Sequence, residues 1–362
     1  MNKILNARKR VMVALSGGVD SSVAAYLLKK QGFHVEGVYI HVWSAEDYLS
    51  DCPWQEDIKI AAEAAEVIGI PFRSIHLEDE YKSRVVEYMV EGYSAGVTPN
   101  PDVMCNQEIK FGVFLKWAMQ EGAEYVATGH YARNELGITD YELRKGLDKN
   151  KDQSYFLYTL TQDKLAKILF PIGEYTKPTV RKIAKKALLP NWNRKDSQGI
   201  CFIGKVELPK FLQNYIKPKK GDIITTDGEK IGEHNGIFYY TIGQRHGLHL
   251  GSKTGSEVYY IREKRLKDNV IVVAKGENNP LLYSKKITAI NVNWISGEEP
   301  EFPLAALAKI RYRQSEEICK IEKIDDKRYR VIFAKPQFAV APGQSIVFYK
   351  KEKCLGGGIM ES

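Results

Sequence analysis

Cysteine is scarce. The 362 residues carry five, at positions 52, 105, 201, 319 and 354, an odd and thinly spread set that argues against a disulfide scaffold, and no C-x-x-C pair offers a zinc site. Any thiol chemistry therefore rests on individual residues. Long hydrophobic runs are missing as well: nothing approaches the roughly 18 apolar residues of a spanning helix, and the run Val11 to Leu15 is cut off by Ser16-Gly17-Gly18. Membrane insertion and a cleaved secretory leader are both disfavoured, and the chain reads as cytoplasmic. No internal repeat or low-complexity tract stands out. With 44% hydrophobic and 27% charged residues the composition is that of an ordinary globular protein, which disfavours disorder and fibrous architectures. At about 150 residues per domain the length suggests two to three domains.

What is present is uneven. The net charge of +8 is mild, but between positions 175 and 220 lie twelve basic residues, among them Lys177, Lys182, Lys185, Lys186 and Arg194, against only Asp196 and Glu207. This stretch more than accounts for the positive excess of the whole chain. It fits a polyanionic partner, or a solvated helix face followed by a charged linker.

The first two hundred residues alternate in period. Arg10 to Leu15 reads as a strand, Ser21 to Gln31 as a helix and His34 to Val42 as a strand; Cys52 to Ile68 follows as a helix and Phe72 to His76 as a strand. Glu80 to Ala95 and Glu108 to Glu121 read as helices, and Tyr125 to Thr128 as a buried strand. Strands separated by helices imply a mostly parallel sheet covered on both faces. After about Leu208 Gly, Asp and Asn turns punctuate short strands, such as Ile223 to Thr226 and Ile237 to Ile242, and the last block, from Lys286 to Tyr349, has the strand count of a small barrel or sandwich. The expected divisions are an α/β domain over 1–208, a small mostly-β domain over 209–280 and a β domain over 281–362.

Ser16-Gly17-Gly18-Val19-Asp20-Ser21-Ser22 sits where the first strand ends and a helix begins. Its glycines allow close backbone approach to an anion, and the helix start supplies free N–H groups and the positive dipole end. It is a phosphate loop but not a Walker A loop, since no Gly-Lys-Ser/Thr follows. Without that lysine it is not built to grip a γ-phosphate. The motif resembles the pyrophosphate loop of the ATP pyrophosphatases, enzymes that cleave ATP between the α- and β-phosphates and leave AMP on a substrate oxygen. That resemblance implies ATP as cosubstrate, with Mg²⁺ expected alongside it; Asp20 is a candidate neighbour of the ion.

Further motifs narrow the acceptor. Asn100-Pro101-Asp102-Val103-Met104-Cys105-Asn106-Gln107 reads as a polar loop in which Asn106 or Gln107 caps the following helix. Thr128-Gly129-His130-Tyr131-Ala132-Arg133, Lys151-Asp152-Gln153-Ser154-Tyr155-Phe156-Leu157, Ser197-Gln198-Gly199-Ile200-Cys201-Phe202-Ile203, Thr241-Ile242-Gly243-Gln244-Arg245 and Arg311-Tyr312-Arg313 follow in order. Together they resemble the tRNA-specific 2-thiouridylase (MnmA) family across essentially the whole chain. The resemblance implies an ATP-pyrophosphatase domain of the adenine nucleotide α-hydrolase type, a central mostly-β domain and a C-terminal β-barrel that docks tRNA. The alternative for the barrel is a partner-binding or purely stabilising module.

The activity implied is exchange of the 2-oxo oxygen of a tRNA wobble uridine for sulfur, with a cysteine desulfurase or sulfur-relay protein as donor. By the resemblance Cys201 carries the persulfide and Cys105 attacks it, either releasing sulfide or closing a Cys105–Cys201 disulfide. Nucleotide contact falls to Ala14, Leu15, Ser16, Gly17, Gly18, Val19, Asp20 and Ser21, and to Ile40 and Gly129. Substrate contact falls to Asn100, Pro101, Asp102, His130, Lys151, Asp152, Gln153, Arg311, Tyr312 and Gln344. No residue is assigned to a resident metal. Read on their own, Asp102 is a catalytic acid or base or the Asx turn of Asn-Pro-Asp, His130 a ligand contact or a strand-end histidine, and Cys201 a carrier or a small buried hydrophobe. Two other classes also fit the loop: a pyrophosphatase that adenylates a different acceptor, and a catalytically silent RNA-binding protein. The paired cysteine motifs and the intact loop argue against both.

Overall fold

The structure, a computed structural model, describes residues 9–42, 54–195, 208–248, 250 and 257–361. Cys52 and Cys201 lie outside the described residues. The first β-branched run forms β1 (Arg10–Ala14), followed by α1 (Val19–Lys30), β2 (His34–His41), α2 (Trp54–Ile68) and β3 (Phe72–His76). Helix α3 runs on through Glu78–Tyr81, Lys82–Val86 and Glu87–Ser94, and α4 through Pro101–Met104, Cys105–Val113 and Phe114–Gln120, the middle segment of each being a wider π-type turn. Then come β4 (Tyr125–Ala127), β5 (Ala132–Leu136), β6 (Tyr141–Lys145), α5 (Gln162–Leu165), β7 (Ile168–Leu169) and α6 (Lys177–Lys186).

Five strands form a parallel sheet in the order β3-β2-β1-β4-β7. Because both faces are buried, β1 is apolar at every interior position rather than alternating. Val11 and Val13 pack towards α1 and α2, and Met12 joins Val38 and Ile40 against α3 and α4. α6 lies on α1, with Val180 and Ala184 buried against Val23 and Ala24. The chain leaves β1 for β2 on one side and reaches β4 on the other. The carboxyl ends of β1 and β4 therefore flank a topological switch point, where open α/β sheets bind ligands.

Past the sheet come α7 (Leu208–Gln213) and a four-stranded sheet, β10-β11-β8-β9, of β8 (Gly221–Thr225), β9 (Lys230–His234), β10 (Tyr259–Arg265) and β11 (Val270–Lys275). The strand expected over Ile237 to Ile242 is instead a 3₁₀ turn at Ile237–Tyr239. Its apolar side chains plug the core, and the Tyr239 hydroxyl donates to the Ile216 carbonyl at 2.7 Å.

Every strand expected in the last block forms, as β12 (Tyr283–Trp294), β13 (Leu304–Lys309), β14 (Glu317–Lys323), β15 (Arg328–Phe338) and β16 (Ser345–Lys350), and β17 (Lys353–Met360) joins them. Pairing of β12 with β17 closes six strands into a barrel. A Cβ on Gly356 would sit 2.0 Å from the Asn293 carbonyl oxygen, and one on Gly358 2.6 Å from that of Ile290. Closure thus depends on backbone approach that only glycine permits, and the same glycines hide β17 from propensity. The hairpin β5–β6, although it falls within residues 1–208, extends this barrel sheet, with Arg144 opposite Lys353 on β17. Leu143, Tyr155 and Leu157 share one core with Val347, Tyr349 and Cys354.

Candidate active site

The phosphate loop joins β1 to α1. Gly17 has a φ of 73°, and a Cβ there would stand 2.5 Å from the Asp57 carbonyl oxygen, so both backbone conformation and space require glycine. Ser16 N–H donates to Ser21 Oγ at 3.2 Å, and the hydroxyls of Ser21 and Ser22 each donate to the Gly18 carbonyl at 3.1 Å. The helix therefore begins at Val19, two residues earlier than its serines suggest. Gly18 is the N-cap and no side chain caps the helix, which leaves the N–H groups of the first turn to an anion.

Three distant segments brace this loop. The Tyr131 hydroxyl donates to Asp20 Oδ1 at 2.8 Å, and Lys177 Nζ holds both Asp20 oxygens, at 2.9 and 2.8 Å. Asn191 Nδ2 donates to the Gly17 carbonyl and to Ser22 Oγ, both at 2.9 Å. Its buried Oδ1 has no hydrogen-bond partner. Arg194 donates to the Gly17 carbonyl at 3.2 Å and bridges to Asp57 at 2.5 Å; burial raises the Asp57 pKa even though Arg194 opposes it. Lys177 and Arg194 thus belong to the loop rather than to the exposed basic face, where Lys182, Lys185 and Lys186 remain.

On the other wall of the crevice β4 ends at Ala127 and the chain runs on to Gly129, where a Cβ would lie 2.6 Å from the Ser21 amide nitrogen. Its neighbour His130 points inward. The ring is buried, its Nδ1 lies 2.7 Å from Thr128 Oγ1, and Phe111 and Phe170 flank it at 5.9 and 6.0 Å. Burial, aided by the charge of Lys110, holds its pKa well below the usual histidine range. Ala14 is the last residue of β1 and is half-buried. Ile40 is buried on β2, two positions past Val38, whose carbonyl accepts from Leu15 N–H at 2.8 Å.

Cys105 lies in a helix, not in a loop. Asn100 caps α4, its Oδ1 accepting from Val103 N–H at 3.3 Å, and Pro101 takes the first helical position with its preset φ. Neither Asn106 nor Gln107 is a cap. Asp102 lies in the first turn and is half-buried, while Cys105 is completely buried at the entrance to the π-type turn. The Asn106 side chain donates to the Phe156 carbonyl at 3.3 Å and leaves its own buried Oδ1 without a hydrogen-bond partner.

The segment 151–157 connects these two ends. Gln153 accepts from Tyr131 N–H at 2.9 Å through its side chain and donates to the Tyr131 carbonyl at 2.8 Å through its backbone. Phe156 N–H donates to the Gln153 carbonyl at 3.0 Å. A bonded path therefore runs from Asp20 through Tyr131, Gln153 and Phe156 to Asn106, the neighbour of Cys105. Asp152 has an internal role: its oxygens accept from Gly146 N–H, Ser154 N–H and Ser154 Oγ, and Lys309 Nζ is 3.6 Å away.

The barrel supplies Arg311 and Tyr312. Tyr312 packs on Phe156 at 4.5 Å and donates to the Lys151 carbonyl at 3.3 Å. Burial, reinforced by Asp152, Asp148 and Asp102, pushes its phenol up to about 12. Arg311 donates to the Ala339 carbonyl at 2.6 Å. Gln344 faces the protein: its Nε2 donates to the carbonyls of Thr98 and Pro99, both at 3.0 Å, while Thr98 N–H donates to the Pro342 carbonyl at 2.8 Å. It holds the segment that leads into Asn100.

Comparison with known proteins bears directly on this arrangement. Residues 9–205 match the model of the tRNA methyl transferase HUP domain, 209–275 that of the tRNA methyl transferase PRC-barrel domain and 284–360 that of the aminomethyltransferase beta-barrel domain. A tRNA-specific 2-thiouridylase MnmA from Buchnera aphidicola is 48% identical over 99% of this chain and 98% of its own length. The chain belongs to the MnmA family. MnmA proteins of Idiomarina loihiensis and Geobacillus thermodenitrificans are 45% and 47% identical, covering 98% and 97% of this chain and 97% and 94% of their own lengths.

Seen as an MnmA chain, the site contains residues that motif reading missed. Tyr131 is inside a quoted motif but draws notice only through its bond to Asp20. Asn191 and Asp57 carry no local signal, and Lys177 and Arg194 stand out only as members of the basic stretch, because what joins all four to the loop is tertiary. Among the described residues no helix is long and apolar enough to cross a membrane.

Proposed function

We infer that the chain is a tRNA-specific 2-thiouridylase, an ATP-dependent sulfurtransferase acting on the wobble uridine, and that the bonded path from the phosphate loop to the Cys105 helix is the scaffold on which its two half-reactions meet. ATP places its phosphates on the first turn of α1 and over Gly17 and Gly18, where no side chain intrudes, with Lys177 as the nearby positive charge. The backbone of Ile40, on the edge of β2 past the point where β1 turns away, suits an adenine edge. Both carboxylates at the loop are engaged, Asp20 by Lys177 and Asp57 by Arg194. Mg²⁺ bound with ATP would neutralise the departing pyrophosphate.

The uridine O2 attacks the α-phosphorus, pyrophosphate departs and the oxygen becomes AMP, a far better leaving group. A persulfide on Cys201, loaded by a desulfurase or relay protein, then provides sulfur. In one route its terminal sulfur adds to C2, AMP leaves, and the Cys105 thiolate attacks Cys201 Sγ, which frees the thiolated base. In the other, Cys105 first displaces hydrosulfide from Cys201, hydrosulfide adds to C2 and AMP leaves. Either route ends in a Cys105–Cys201 disulfide that an external dithiol must reduce. Because Cys105 is fully buried, both routes call for the first turns of α4 to shift when tRNA docks.

RNA contact suits the exposed lysines of α6, Lys151 and the Arg311–Tyr312 turn, where charge and an aromatic face lie together. A cytoplasmic setting accords with the reduced thiols this chemistry needs. Incubation with unmodified tRNA, Mg-ATP, cysteine, a desulfurase and a reductant, followed by nucleoside mass analysis, tests the reading. Exchange of one uridine oxygen for sulfur, with AMP formed in equal amount, is expected. AMP formation with a different acceptor, or no nucleoside change, refutes it.

A further inference from the structure

One cluster of metal-ligating side chains lies outside the loop and the cysteine helix. The last rung between β2 and β3 pairs His41 with His76, so two imidazoles leave the sheet side by side at its carboxyl edge. Glu78 opens α3 two residues later, and its Oε1 is 2.9 Å from His76 Nδ1. One ligand atom from each of the three residues falls within 4.8 Å of the others. Trp54 and Tyr39 stand edge-on to His41 at 5.3 and 4.9 Å and fix its ring. The His76 ring lies parallel to it at 4.4 Å, and its side chain is 69% exposed.

We propose that His41, His76 and Glu78 form a binding site for a divalent transition-metal ion of the zinc type, on the α2 face of the sheet beside the nucleotide crevice. Two imidazole nitrogens and one carboxylate oxygen form a borderline donor set that suits Zn²⁺, whereas Mg²⁺ and Ca²⁺ require oxygen cages. His41 is anchored and buried, so one ligand is preorganised. His76 is exposed, so a turn of its ring brings a nitrogen lone pair towards that of His41 and releases Glu78 to the same ion. Three protein ligands leave a fourth position for water. The site is independent of the thiolation chemistry, which uses none of these side chains.

Calorimetric titration of the full-length chain with Zn²⁺, paired with thermal melting, tests this. Ions held by thiols elsewhere persist in both proteins and cancel between wild type and His76→Ala. The wild type is expected to take up one more Zn²⁺ than His76→Ala, or to bind that ion more than about tenfold more tightly, and to gain a larger Zn²⁺-dependent rise in Tm. Millimolar Mg²⁺ should not displace the ion. His41→Ala should match His76→Ala, but the exposed His76 is the deciding position because its loss leaves the core intact. Identical Zn²⁺ uptake and identical Zn²⁺-dependent melting in wild type and His76→Ala overturn the proposal, as does displacement by Mg²⁺.

Discussion

The two ends of the bonded path are built differently. At the phosphate loop each flanking side chain is held by another: Asp20 by Lys177 and Tyr131, Asp57 by Arg194, and Ser22 by Asn191. That end is preorganised, as a site that stabilises developing charge has to be. At the cysteine end Cys105, the thiol proposed to react, is buried, and its neighbour Asn106 keeps an unsatisfied Oδ1 beside a π-type turn, a feature common at functional sites. The segment leading into α4 is held from outside by the barrel through Gln344 and Pro342, and by Thr241 of the central domain, whose hydroxyl lies 3.4 Å from that of Thr98. On the function proposed above, nucleotide meets a finished surface, while sulfur meets one that other domains can adjust.

Cys105→Ser attacks this contrast hardest: thiolation should fall by about 10³-fold or more, while tRNA binding and pyrophosphate release, followed by nucleoside mass analysis and a phosphate-coupled assay, persist. Thiolated product at the wild-type rate removes Cys105 from the mechanism. Asp20→Ala should slow pyrophosphate release about 10²-fold, Lys177→Met comparably, and the double variant little more than either, because each breaks the same pair. Additive losses would separate the two residues. Neutralising Lys182, Lys185 and Lys186 together should weaken tRNA binding about tenfold and lower the slope of log affinity against log salt by about two units; an unchanged slope returns that face to solvent. Gln344→Ala should cost the least, a severalfold drop in kcat as the segment into Asn100 loosens without its two hydrogen bonds, with KM for tRNA unchanged. A rise in KM alone would instead make Gln344 an RNA contact.

Much of this was legible in the sequence. The phosphate loop declares itself because strand, glycines and helix start adjoin in the chain. The parallel sheet declares itself through its alternating periods. The helical setting of Cys105 escaped because Asn100-Pro101-Asp102 reads as a turn, although Asn before Pro is also a helix start with the cap and first residue in place. β17 escaped through its glycines, and the path from Asp20 to Asn106 escaped because its hydrogen bonds join residues far apart in sequence. Cys319 and Cys354, which no motif surrounds, are buried thiols pushed up to about 12.

The most direct test of a nucleotide loop and two thiols converging on one base is a single turnover without reductant, starting from enzyme persulfidated at Cys201, followed by peptide mapping. One Cys105–Cys201 disulfide per 2-thiouridine formed is the predicted result. Stoichiometric 2-thiouridine with both thiols still reduced would contradict it.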